Sequence, residues 1–328
     1  MTSVGCARVK ALAMAGVLVA MPCVSCGEGP AAPPTEPRSL PRIGDIRAME
    51  PEERVALGEF TLRGVVTWQS GVEYRPALVI DDGTGGIFVT LQQLAKAEDA
   101  PMTPSPVGTL LEVRGAIGQA LKEPRFIAAG FREFGAAALP SPRPVDSISG
   151  ADLFQRVRVQ GVVQRVESHK SSQATLDLAT KWGAVRAIAM VSPGAKPQRW
   201  VDGRIRFSGT VLGQRNSMHQ VVAYHILAAT PEDLEVLQRG PDDPFLATPL
   251  HLSNIRSLMG ADLPRNRRVV HGIVTYVEPE VAYIQDAALG IRLEMASPPD
   301  IRVGDLAKAS GFLAVEEGSW SMGAGQKS

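Results

Sequence analysis

One pattern of residues occurs three times along this chain, and a repeat of that kind limits the fold before any single residue is weighed. The first copy comprises Thr61–Trp68, Ala77–Leu91 and Gly108–Gly115. The second comprises Arg158–Gln164, Ala174–Leu178 continuing to Trp182–Arg186, and Gly203–Gly209. The third comprises Val270–Tyr276, Ala282–Asp286 continuing to Gly290–Leu293, and Gly304–Gly311. Each opening segment is built on a glycine followed by two β-branched residues: Gly64-Val65-Val66, Gly161-Val162-Val163 and Gly272-Ile273-Val274. Two residues before that glycine stand Leu62, Val159 and Val270, and two after it Val66, Val163 and Val274. This period-two set is expected to face a core, with Arg63, Gln160 and His271 facing outward.

A glycine inside a strand weakens it, so a repeated one implies a sharp bend or the close approach of another backbone, as in a small closed barrel. The turn Asp81-Asp82-Gly83-Thr84-Gly85-Gly86 separates two apolar runs, and its two carboxylates read as turn formers. Its last glycine, Gly86, recurs as Gly183 and Gly290, which predicts a backbone position of positive φ. A short helical segment precedes each copy: Ile43–Met49 with Pro51–Leu57, then Ile148–Phe154, then Pro249–Met259. The repeated unit is therefore helix plus barrel, and few aromatics with many Gly and Pro suit an all-β chain.

The amino terminus has a different logic. Arg8 and Lys10 precede an apolar run from Ala11 to Val24, shorter than the roughly 20 residues that span a bilayer, and this reads as an export signal. The segment Val24-Ser25-Cys26-Gly27 resembles the lipobox of bacterial lipoproteins, although Cys23 stands where that family usually has Leu. The resemblance implies acylation of Cys26 and a membrane partner reached through lipid; ordinary signal cleavage and an uncleaved leader are the alternatives. Cys6, Cys23 and Cys26 are the only cysteines, so disulfides do not hold the body together. The resulting boundaries are 1–25 for the signal, 26–42 for a proline-rich tether, 43–140, 141–249 and 250–315 for the three units, and 316–328 for a flexible tail. The third unit ends early on this reading, which leaves its closing strand unaccounted for.

The order of these segments resembles the OB-fold, in particular the nucleic-acid and anticodon-binding type of that barrel. The helix before each copy is similar to the tandem OB-like modules in extracytoplasmic regions of bacterial sensor histidine kinases. The implied fold is all-β with short helices: three tandem five-stranded OB-like barrels. The resemblance covers residue 43 to about 315 and says little about function, because one barrel serves many ligands. No phosphoacceptor segment or ATP-binding glycine motif occurs after Gly311, so a sensor of this kind would signal through a separate envelope or kinase partner.

OB barrels bind ligands on the face of strands two and three and with neighbouring loops. That region holds Trp68, Tyr74 and Arg75 in the first unit, Lys181, Trp182 and Arg186 in the second, and Tyr276 and Tyr283 in the third. Trp68 and Tyr276 read first as half-buried strand-end aromatics covering an open barrel and second as stacking platforms for a base or sugar, whereas Trp182 sits in a turn suited to exposed contact. Lys plus Arg equals Asp plus Glu at 34 each, so no global field favours a polyanion, and nucleic acid is an unfavoured partner. The five histidines lack metal-ligand spacing, and no nucleophile elbow is present. Neither a metal, a cofactor nor catalysis is expected. The function expected is a non-enzymatic, exported, lipid-anchored binding or sensory module of the bacterial envelope. A sensor fragment and a single-stranded nucleic-acid binder are the alternatives.

Overall fold

The computed structural model describes residues 41–328 except 71–75, 93, 95–103, 119–122, 170–171, 219, 259–262, 288, 296–299, 317–318 and 324–328. The leader with Cys26, and Tyr74 and Arg75, lie outside the described residues. Helices α1 (Ile43–Ala48) and α2 (Pro51–Ala56) come first. Barrel one comes next, with β1 (Glu59–Gln69), β2 (Ala77–Asp81), β3 (Gly86–Thr90), β4 (Thr109–Ile117) and β5 (Arg125–Ala136). After the edge strand β6 (Arg143–Pro144), barrel two is built from β7 (Arg156–His169), β8 (Gln173–Thr180), β9 (Gly183–Met190), β10 (Arg204–Arg215) and β11 (Val221–Leu227), with β12 (Leu234–Gln238) added to β10. Helix α3 (Leu252–Ile255) leads to barrel three: β13 (Arg268–Val277), β14 (Val281–Gln285), β15 (Gly290–Glu294), β16 (Leu306–Glu316) and β17 (Ser319–Gly323).

Within each barrel the order around the sheet is first, second, third, fifth, fourth, closing back onto the first, with third and fifth strands parallel. This is the OB arrangement, present three times. Each barrel encloses its own core, and Leu62, Val66, Val159, Val163, Val270 and Val274 are all buried in them. Arg63, Gln160 and His271 are exposed, as the alternation requires.

The repeated glycine of the first strand owes its identity to the second strand. A Cβ on Gly64 would lie 3.1 Å from the backbone of Asp81; on Gly161 or Gly272 it would lie 3.0 Å from the carbonyl oxygen of Ala179 or Gln285. These are equivalent positions at the ends of β2, β8 and β14, so one backbone crossing recurs three times. Shortly after that glycine, every first strand carries a bulge: between Val66 and Trp68, Val163 and Arg165, and Val274 and Tyr276. A bulge inserts one residue and re-aims the side chains beyond it. Trp68 and Tyr276, which share their parity with core valines, are thereby turned to the outer face.

Two expectations need correction. Barrel three is closed: β17 pairs with β15 and β16 and buries Met322 in the core, so residues 319–323 are strand rather than tail. Positive φ occurs at Gly183, at 142°, but not at Gly86 or Gly290. In the first turn Gly83 takes the left-handed position at φ 85°, with Asp81 accepting its N–H at 2.7 Å. Gly86 has a different reason, since any Cβ there would overlap the carbonyl of Phe154 from barrel two.

Candidate ligand-binding face

The bulges, together with strand register, set one row of side chains across the outer face of strands one, two, three and five in each barrel. In barrel one the row is Trp68, Val79, Phe88 and Arg125. In barrel two it is Arg165, Asp177, Arg186 and His225. In barrel three it is Tyr276, Tyr283, Arg292 and Ser321. The same backbone thus presents three different chemistries.

Barrel one packs its row against barrel two, with Trp68, Phe88 and Arg125 half-buried around a recess of about 260 Å³. Val79 is fully buried and belongs to the core cluster of barrel two, and every residue of β2 is buried on both faces. Phe88 stacks on Trp68 at 6.3 Å and meets Phe154 at 5.7 Å between ring centroids, while the Arg125 guanidinium lies 5.4 Å over the Phe88 ring. Thr210 Oγ1 donates to the Thr67 carbonyl at 3.2 Å, and Arg47 bridges the Gly86 and Ala151 carbonyls at 3.0 and 2.9 Å. Apolar area and a few satisfied polar groups therefore join the two barrels. Trp68 is occupied in that joint.

Barrel two leaves its row open beside a groove of about 620 Å³, lined by Gln164, Asp177, Trp182, Arg186, Tyr224 and His225 among others. Asp177 accepts from Arg165 Nε at 2.7 Å and from Arg186 Nε at 3.1 Å, which fixes both guanidinium groups on one carboxylate. Burial holds the His225 imidazole below its ordinary pKa, and the Arg186 charge lowers it further against the opposing pull of Asp177. The imidazole is thereby kept as a neutral donor and acceptor beside the Arg186 cation. Lys181 points to the other side of the same turn, where it pairs with Asp146 at 2.5 Å.

The sign of each influence on His225 can be checked. Asp177→Asn should lower its titration midpoint and Arg186→Gln should raise it, as tracked by NMR of the imidazole protons; midpoints that stay put would contradict the register. Because the folded state resists protonation, His225 contributes its full stability above the ordinary value of 6.5. That contribution declines as pH falls below 6.5 toward the lowered folded value.

In barrel three the tyrosines of the row are uncovered, while Ser321 at its far end is buried. Tyr276 is 49% exposed and Tyr283 40%, with their rings edge to face at 6.0 Å. Tyr276 donates its hydroxyl to Glu278 at 2.5 Å, and that hydrogen bond, with the carboxylate's charge, raises the phenol's pKa. Arg292 Nη1 pairs with Glu294 at 2.7 Å. Two amphipathic rings and a cation make a surface suited to contact.

Of the residues expected from sequence, Trp182 and Arg186 meet in one groove and Tyr276 and Tyr283 form one pair; Trp68 lies in the joint and Lys181 outside the groove. Arg165, Asp177, His225 and Arg292 were not anticipated. His225 reaches the row only because the fifth strand runs parallel to the third, a pairing that no local spacing encodes.

No family model matches the chain, and no curated protein matches it. Among solved structures it is similar to the S. pombe Stn1-Ten1 complex, at 22% identity over 24% of this chain and 58% of that chain, with a TM-score of 0.19. It is also similar to Entamoeba histolytica asparaginyl-tRNA synthetase, at 8% identity over 38% of this chain and 28% of that chain, with a TM-score of 0.25. The chain spans less than two thirds of either, and superpositions this partial carry nothing about ligands.

Proposed function

We propose that the chain is a non-enzymatic binding module, exported across a bacterial membrane and held there by lipid on Cys26, whose contact surfaces are the outer strand-two and strand-three faces of barrels two and three. The observation behind the binding role is the unequal use of one repeated face. Barrel one spends its row on packing, with an apolar Trp68-Val79-Phe88 set that suits burial. Barrels two and three present charged, hydrogen-bonding and aromatic rows, whose exposed tyrosines and carboxylate-fixed guanidinium groups are the residue types that anchor interfaces. The anchor rests on the leader and the lipobox-like segment ending at Cys26. Acyl chains stabilise membrane attachment by about 0.8 kcal/mol per buried CH₂, which makes a spanning helix unnecessary.

Both halves of the reading can be tested on the intact chain. Labelled fatty acid should enter the protein, and Cys26→Ser should move it from the membrane pellet to the soluble fraction; an unchanged pellet would end the anchor. Envelope proteins captured by the wild type should be lost with Arg186→Glu and Tyr283→Ala, and capture indifferent to both would end the role of the rows. Single-stranded DNA should find no site on these rows, because Asp177 and Glu294 interrupt their cations, so Arg186→Glu should leave any low-salt retention unchanged. Salt-sensitive retention that is lost with Arg186→Glu would replace the proposal with nucleic-acid binding.

A further inference from the structure

A second concavity lies at the joint of barrels two and three, away from the rows. It has a volume of about 670 Å³ and brings together Arg158 from β7, Lys181 from the β8–β9 turn, Arg204 from β10, Arg265 from the connecting segment and Arg268 from β13. Asp146 is the one carboxylate among its described lining residues, and it is taken by Lys181. The four arginines meet no carboxylate among the described residues. Arg204 donates to the neutral Gln160 side chain at 3.2 Å, and Arg265 donates to the Thr180 and Lys181 carbonyls at 3.0 and 3.4 Å. Those neutral acceptors fix the guanidinium groups while leaving their charge uncompensated. The Nε of Arg158 is buried and finds no acceptor among the described residues.

A cluster of like charges in one concavity repels itself, and an anion seated among them lowers that cost. Forked guanidinium groups pair best with phosphate or carboxylate oxygens, two at a time. Four uncompensated cations, contributed by four separate elements, exceed what a single phosphate can contact. We infer that this cleft binds a chain of phosphates, either free polyphosphate or the phosphate chain of a nucleotide, and that the ligand clamps barrel two to barrel three. The site is independent of the proposed ligand rows, which occupy a different face. Trp182 borders both, and offers a ring at the rim for a nucleobase.

The test is calorimetric titration of the full chain, in neutral detergent at low ionic strength and without divalent metal, with sodium tripolyphosphate, orthophosphate and ATP. Tripolyphosphate should bind at least about tenfold more tightly than orthophosphate, and Arg158→Gln with Arg204→Gln should weaken it about tenfold or more. Melting of the ligand-free double variant should be unchanged or higher, since a buried unpaired donor is removed. Should that pair fail to fold, Lys181→Gln with Arg268→Gln reads the same loss from the turn and from β13. The control Arg63→Gln, in barrel one, should leave affinity unchanged. ATP binding more tightly than tripolyphosphate assigns the site to a nucleotide, and equal binding assigns it to the phosphate chain alone. Tripolyphosphate binding no more tightly than orthophosphate, absence of heat with tripolyphosphate and ATP alike, or equal weakening by the Arg63 control, would overturn the inference.

Discussion

Asp233→Ala should destabilise the protein by about 3–5 kcal/mol, more than any substitution on its surface. The Asp233 and Arg156 side chains are 5% and 7% exposed, and the carboxylate meets both terminal nitrogens of the guanidinium. It also accepts the backbone N–H groups of Ala229 and Thr230 at 2.8 and 3.2 Å. Alanine would strand a buried cation, whose Nε already lacks an acceptor, together with two amides. The pair ties the start of β7 to the turn after β11, the strands that carry Arg165 and His225 into the ligand row. The double substitution Arg156→Met with Asp233→Leu should recover part of the loss, because replacing both members removes the stranded charge while the Ala229 and Thr230 amides stay unpaired. Chemical denaturation measures both. A loss below about 1 kcal/mol for Asp233→Ala would mean that the pair is solvated.

Much of this architecture was legible in the chain itself. Three glycines with flanking valines marked the same strand crossing, and the buried set at Leu62, Val159 and Val270 came from alternation alone. The closing strand of barrel three was not read, because Ser319-Trp320-Ser321-Met322-Gly323 carries only two large apolar residues and resembles a tail. Its signal was Gly311. Like Gly115 and Gly209, that glycine has no room for a Cβ because the fifth strand passes over it. The bulges were hidden for a related reason, since the threonines Thr67 and Thr275 are matched by Gln164 in the second copy and a bulge depends on pairing rather than on residue type.

The candidate rows were only half visible. Trp182, Arg186, Tyr276 and Tyr283 stand out as residue types, but Asp177 and His225 join Arg186 through two strand pairings of different direction. The packing of barrel one's row did leave a trace. Ala77-Leu78-Val79-Ile80 is an unbroken apolar run, the mark of a strand buried on both faces, whereas Thr175-Leu176-Asp177-Leu178 and Ala282-Tyr283-Ile284-Gln285 alternate. Burial matches those patterns: β2 is buried throughout, while β8 and β14 alternate.

The central claim is that difference between equivalent positions of one repeated face, and the cysteine-free body offers a direct way to read it. Cys6, Cys23 and Cys26 can be changed to serine, and one cysteine placed in turn at Val79, Arg186 or Tyr283, which lie in the equivalent rows of barrels one, two and three. Val79→Cys is a small change at a fully buried site between barrels, so its thiol reacts only when the joint opens. An opening cost of about 2.7 kcal/mol slows labelling about a hundredfold. The measurement is the rate of maleimide labelling of the three native-state variants, each referred to its own unfolded chain. Near-unfolded rates are predicted at positions 186 and 283, with at least about hundredfold protection at position 79. Equal rates at all three would show that barrel one's face is as open as the others, and would contradict the claim.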